Sequence, residues 1–259
     1  MAEKAIFIGA GNVAWHLAHA IDKAGIQVDQ IITQHTETAK ALAQKFGAYF
    51  GTEPAAGSKA DWIFICVSDE QIEVAAEQLQ HIGGIMVHTS GSINMETLHG
   101  KSTNYGVFYP LQTFNKTREV DFLKVPLLLE ASDVITENKL KDLAEKLSNK
   151  VVFANSEQRK IIHLAAVVVN NFTNHLFAQA ELIAEQSGLP ISILHPLMQE
   201  TVNKAMALGA QNAQTGPAKR GDDAVIQTHI DWLHANLPDM ATEYEVISQS
   251  IIKSYRSTE

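Results

Sequence analysis

The sequence predicts an α/β protein in two parts, a doubly wound parallel sheet followed by an all-helical second domain. Three observations carry this. Short apolar runs alternate with helical patterns through the first half of the chain. A glycine-rich turn joins the first run to the first helix. No strand signal follows Phe153, and from Ser156 the pattern is helical almost without interruption. Runs that are apolar on both faces belong to strands covered by helices from two sides.

In chain order, residues 5–8 read as a buried strand ending at Gly9, and 12–24 as a helix closed by Gly25. A second strand spans 28–33 and a second helix 36–46, closed by Gly47. Residues 61–67 form the strongest strand pattern, 69–80 are helical and 85–88 extended. Strands at 105–109 and 125–130 precede a helix at 136–147 and a strand at 151–153. Asn155, with Gln158 three residues on, is the cap pair of a helix that runs to Ser187 and stops at Gly188 and Pro190. Helices at 195–208, 222–235 and 239–255 complete the chain. The expected division is 1–154 for a nucleotide-binding domain and 155–259 for a helical dimerisation and substrate domain.

Composition narrows the function. The 259 residues are 46% hydrophobic and 19% charged, a globular balance. The net charge of -9 disfavours nucleic acid and anionic membranes as partners, since both are bound mainly through cations. The one cysteine, Cys66, allows no intramolecular disulfide and suits a reducing compartment, so the expected location is cytoplasmic. No signal-peptide pattern opens the chain, and the longest apolar stretch, 161–169, is far short of a bilayer span and carries His163. The eleven histidines show no metal-ligand spacing, and no metal is expected.

The segment Gly9-Ala10-Gly11-Asn12-Val13-Ala14 reads GxGxxA in strand–turn–helix context. Gly9 permits the tight turn, Gly11 lets backbone approach a pyrophosphate, Ala14 keeps the helix close to the strand, and the helix start offers unpaired N–H groups to the phosphates. This makes the sheet Rossmann-type. At the end of the second strand stand Thr33, Gln34 and His35, with no carboxylate to bind a ribose 2′-hydroxyl. Their polarity tolerates a 2′-phosphate, which favours NADP over NAD. Val67, Ser68 and Asp69 follow a strand end that faces the cofactor crevice, and Asp69 reads equally well as a helix N-cap. The loop His88-Thr89-Ser90-Gly91-Ser92 sits at another strand end, with hydroxyls suited to a substrate near the nicotinamide.

These segments, with "ADWIFICVSDEQI", "GVFYPLQTF", "HLAAVVVNNF" and "TGPAKRGD" in one order, resemble a family of bacterial NADP oxidoreductases along essentially the whole chain. The family has a Rossmann-like N-terminal domain and a helical C-terminal domain of unknown function. It lies in the superfamily of 6-phosphogluconate dehydrogenase and pyrroline-5-carboxylate reductase. The resemblance implies an NADP cofactor and a homodimer through the helical domain. It places Gly9, Gly11, Asn12 and Val13 at the pyrophosphate. Val67, Ser68 and Asp69 fall beside the ribose and nicotinamide, and Thr89, Ser90 and Gly91 at the nicotinamide–substrate junction. Tyr109 stands where the family commonly has His, and the second strand lacks the Ser-Arg of many NADP binders.

On the long helix, His163, Asn170 and Asn174 share one face at about 100° per residue, with Asn171 displaced by roughly 80°. Two readings stand. In one, His163 is the acid/base and Asn170 or Asn171 orients a carbonyl, with Ser90 and Tyr109 holding substrate. In the other, the stripe is a hydrogen-bond network at an interface. Arg220, in Thr215–Asp222, reads as a carboxylate clamp or as an ion-pair partner of Asp222 or Asp223. The expected function is hydride transfer between NADP and a small carbonyl or imine substrate that bears a carboxylate. The alternative is an NADP-binding sensor or scaffold without turnover.

Overall fold

A computed structural model describes residues 2–34, 36–79 and 82–256. His35 and Gln80, both part of the expectations above, lie outside the described residues. By compactness the chain divides into Met1–Asn171 and Phe172–Glu259.

The first unit is built on an eight-stranded sheet, in the order β3-β2-β1-β4-β5-β6-β7-β8. The strands are β1 (Lys4–Ile8), β2 (Gln27–Ile32), β3 (Tyr49–Gly51), β4 (Trp62–Ile65), β5 (Ile85–His88), β6 (Asn104–Pro110), β7 (Leu127–Ala131) and β8 (Val151–Phe153). Helices α1 (Asn12–Lys23), α2 (Thr36–Phe46), α3 (Ile72–Glu77) and α4 (Val134–Leu147) cover it. The alternation within β1 shows how both faces are used. Ala5 and Phe7 pack with Leu17 and Ile21 of α1 and Leu140 and Leu143 of α4, while Ile6 and Ile8 pack with Ile72 and Ala76 of α3. Each such aliphatic side chain contributes about 1.5–3 kcal/mol on burial.

The sheet is parallel from β3 to β6 and then reverses, because β7 pairs antiparallel to β6 while β8 runs parallel to β7. The expectation of a parallel sheet therefore holds for its nucleotide half. Strand β3 gave no sequence signal, since its three residues lie on the sheet edge and two are exposed. The segment after β4 is a short 3-10 turn at Asp69–Gln71 and then α3.

The parallel register aligns the carboxyl ends of the strands. Gly9 N–H donates to Ile32, Cys66 N–H to Ile8 and Thr89 N–H to Ile65, each one residue past its strand. β1 lies between β2 and β4, so the strands after it are added first on one side and then on the other. That is where a doubly wound sheet opens its ligand crevice.

A continuous helix, Ser156–Gln186, crosses from the first unit into the second. It consists of α5 (Ser156–Ala166), a π-helical turn at Val167–Phe172 and α6 (Thr173–Gln186). Asn155 and Gln158 cap it reciprocally, as predicted. The helix begins where the second domain was expected to begin, but α5 is compact with the sheet. One 18-residue window of this helix has a mean hydropathy of 1.3 and none of it is buried. The expectation that no stretch reaches bilayer length is thus overturned for length and composition, because the apolar window runs beyond 161–169 along this helix.

The second unit continues with α7 (His195–Leu208), α8 (Ala210–Ala213), α9 (Pro217–Arg220), α10 (Asp223–Asn236) and α11 (Pro238–Arg256). Ala218, Ile226 and Ile230 form its small core against Tyr244, Ile251 and Ile252. No strand follows β8 among the described residues.

Candidate active site

The glycine turn has the form a dinucleotide needs. Gly9 has φ +98°, and a β-carbon there would overlap the Cys66 carbonyl oxygen, so only glycine lets β1 and β4 approach at the crevice. Gly11 is the N-cap of α1; it makes no side-chain cap, and a β-carbon on it would meet nothing within 4 Å. The first turn of α1 carries no acidic residue. Free N–H groups, an open approach and the positive end of the helix together fit a pyrophosphate, with Asn12 and Val13 in the first turn. Thr33 continues β2 by donating its N–H to Gly51 at 3.0 Å, and Gln34 beside it is exposed.

The loop after β5 is built from within. Ser90 Oγ accepts the N–H groups of Ser92 and Ile93, each at 3.1 Å, and lies 3.2 Å from Ser92 Oγ. Ser92 Oγ donates to Asp69, so the Ser90 hydroxyl donates to Ser92. One donor and two acceptor sites are then all used. Ser90 shapes the loop, and its hydroxyl is committed there. Asp69 is not the helix N-cap: that position is Ser68, and the Asp69 carboxylate fastens the Ser92 hydroxyl. Val67 is half-buried at the same turn, and Ser68 is exposed. Thr89 is buried, its hydroxyl turned to the Ile65 carbonyl at 3.3 Å. Ser90 N–H donates to His88 Nδ1 at 3.2 Å, so that ring carries its proton on Nε2. Burial, with Arg159 nearby, pushes the His88 imidazole down to about 3 and keeps it neutral.

Gly91 sets the next contact. A β-carbon on it would lie 2.6 Å from His163 Nδ1 and 2.8 Å from the Tyr109 ring. Into that space fit the Tyr109 hydroxyl and His163 Nδ1, 3.0 Å apart, with their rings edge to face at 6.0 Å. Burial raises the Tyr109 phenol above its ordinary value, so it stays neutral and hydrogen-bonding. Tyr109 and His163 line a groove of about 500 Å³ with Gln112, Thr113, Asn170 and Asn171. Both asparagines face it because the π turn closes i→i+5 and widens the helix there. Straight-helix geometry displaces Asn171 by roughly 80° and puts Asn174 on the face; Asn171 lines the groove and Asn174 is not part of its wall.

What holds His163 in place was missed from sequence. Arg159, one turn before it, is fully buried. Its guanidinium pairs with Glu130 of β7 and donates to the Ile93 carbonyl and, at 3.2 Å, to Ser156 Oγ. Glu130 also accepts the Ser156 N–H at 2.9 Å and hydroxyl at 2.8 Å, and Met95 N–H donates to Ser156 Oγ at 3.1 Å. This network joins β7, the β5 loop and α5. A lone Arg in an amphipathic helix gives no sequence signal; its partner is 29 residues away.

Residues 4–90 match a family described as NADP oxidoreductase, coenzyme F420-dependent, and residues 125–251 a domain of unknown function, DUF2520. A search of curated proteins gave no match. Among solved structures, a Bacteroides fragilis protein described provisionally as an NADP oxidoreductase is 41% identical, with 97% of this chain and 98% of that one covered and a TM-score of 0.89. This chain belongs to that NADP oxidoreductase family. More distant structures share the fold. They include a pyrroline-5-carboxylate reductase from Coxiella burnetii (17% identity, 97% and 99% covered, TM-score 0.60). A reductive aminase from Aspergillus terreus, in complex with NADPH and ethyl-5-oxohexanoate, is 13% identical, with 98% and 95% covered and a TM-score of 0.73.

The remaining sequence candidate of this oxidoreductase, Arg220, lies in the second unit. It is exposed and forms no ion pair among the described residues, while Asp222 is the N-cap of α10. Cys66 is buried, and burial pushes its thiol up to about 12, which makes it an inert packing group.

Proposed function

We propose that this oxidoreductase reduces a C=N or C=O bond of a small metabolite with NADPH, using His163 as the proton donor. The observation that carries the reading is the Tyr109–His163 pair, seated on Gly91 and lining one groove with Asn170 and Asn171. NADPH, held by its pyrophosphate at the glycine turn, would supply the hydride from its nicotinamide. The acid form of His163 donates a hydrogen bond from Nδ1 to the Tyr109 oxygen, which fixes the ring and leaves Nε2 to deliver a proton to the substrate nitrogen or oxygen. The imidazole becomes neutral and recovers its proton from solvent. Asn170 or Asn171 orients the polar atom of the substrate. The relatives named as pyrroline-5-carboxylate reductase and reductive aminase support the C=N form. NADP is preferred over NAD because Thr33 and Gln34 end β2 without a carboxylate.

The protein acts as a homodimer in this reading. Ile161, Leu164, Val169 and Phe172 are 67%, 64%, 74% and 56% exposed along one continuous helix, and Met206 of α7 is 82% exposed. An uncovered apolar face of this extent marks an interface. A second copy suits it better than lipid, because His163, Asn170, Asn171 and Asn174 interrupt the helix at positions costly in hydrocarbon. Leu164→Glu with Val169→Glu then gives a monomer by light scattering, against a dimer for the parent chain.

The function is tested by titrating the protein with NADPH and NADH on nicotinamide fluorescence, then following NADPH oxidation with cyclic imines, amine-plus-ketone pairs and 2-oxo acids. Tighter NADPH binding and turnover of one class are expected. Tight NADPH binding with no oxidation across the panel would instead favour a sensor or scaffold.

A further inference from the structure

A second cavity of the first unit shares no lining residue with the Tyr109 groove. It encloses about 810 Å³ between α1, the segment 116–123 and the last turn of α4. Trp15, His19 and Lys23 lie four residues apart and share the helix face that forms one wall.

The lining is cationic although the whole chain carries -9. Lys23, Lys116, Arg118 and Lys146 face Glu119 and Asp121. Asp121 is engaged by Lys124 at 3.2 Å, outside the lining. Lys23, Arg118 and Lys146 have no ion-pair partner among the described residues.

The walls are also preformed. His16, buried beneath, bonds through Nε2 to the Asn115 carbonyl at 3.0 Å and stacks on Phe114 at 5.0 Å. Lys116 donates to the Ala10 carbonyl at 2.8 Å and sits 5.7 Å from the Trp15 ring centre. These contacts dock the loop on α1 before any ligand arrives, which lowers the ordering cost of binding. A flat indole wall beside unneutralised cations selects a particular chemistry: a planar ring for the indole and an anionic group for Arg118 and the lysines.

We propose that this groove is a second ligand site, separate from the nicotinamide site, for a small organic anion built on a planar ring. The test titrates the full chain with anilinonaphthalene sulfonate, an anion of that class. Saturable binding with quenching of Trp15 fluorescence is expected, and the quenching is lost in Trp15→Phe. The triple variant Lys23→Gln, Arg118→Gln, Lys146→Gln weakens binding by about tenfold, the sum of three exposed charge contacts, with unchanged circular dichroism and melting. NADPH does not displace the probe. Unchanged affinity in the folded triple variant, or displacement by NADPH, overturns the proposal: the first assigns the probe to an apolar face elsewhere, and the second to the nucleotide crevice.

Discussion

Gly91 and His163 share one space: a β-carbon on the first would stand 2.6 Å from Nδ1 of the second. The glycine is therefore a steric requirement of the Tyr109–His163 pair, independent of any backbone freedom. Gly91→Ala is expected to separate the pair and to cost about 1–3 kcal/mol by overpacking. Urea unfolding measures the cost, and the ring signals of His163 in NMR report the lost bond. A variant with parental stability and unchanged His163 signals would show that the pair does not depend on this contact.

Proton delivery separates from cofactor binding. His163→Ala should lower kcat by about 10²–10⁴, the usual range for a lost general acid. Tyr109→Phe should lower it less, since it removes only the orienting bond. Both variants keep the parental NADPH affinity. Because burial holds the Tyr109 phenol above its ordinary value of 10.0, its ionisation leaves no break in the rate below that pH. A break at lower pH that vanishes in Tyr109→Phe would contradict the neutral-phenol role.

The Arg159–Glu130 pair positions α5. Replacing either partner alone leaves a buried charge, so Arg159→Met or Glu130→Gln should cost about 3–5 kcal/mol. The double replacement Arg159→Met, Glu130→Met should cost less than the sum of the two single changes, as a double-mutant cycle in denaturant will read. Additive losses would mean that the two side chains stabilise the fold separately.

His88 makes stability depend on acid. The unfolded chain takes up this proton below its ordinary value of 6.5, whereas the native ring does so only near 3. Between these values the unfolded state holds more protons, so stability falls as pH falls, by about 1.4 kcal/mol per unit from this group. His88→Leu should flatten the slope between pH 6 and pH 4 by about that amount, read from urea midpoints. An equally steep slope in the variant would assign the acid sensitivity to other groups.

Much of this protein was legible in the sequence, and the division follows the range of the signals. The glycine turn, the Asn155–Gln158 cap and the alternation of apolar runs act within a few residues, so they announced the nucleotide half and the helical half directly. Tyr109, Gly91 and His163 were each singled out from sequence, on separate grounds. Their meeting was not visible, because Tyr109 and His163 are 54 residues apart, and only the parallel register of β5 and β6 sets Tyr109 beside the Gly91 loop, where His163 of α5 meets it. The tertiary structure alone decided that Ser90 spends its hydroxyl inside the loop and that Asp69 fastens Ser92. It also decided that β7 reverses, which carries Glu130 to Arg159. The π turn that brings Asn171 beside Asn170 was likewise beyond the sequence, since its apolar and polar residues suit an ordinary α-helix equally well. Local propensity and periodicity determine which elements form. Which polar groups meet is settled only when strand order and register bring distant residues within hydrogen-bond reach and burial obliges them to pair.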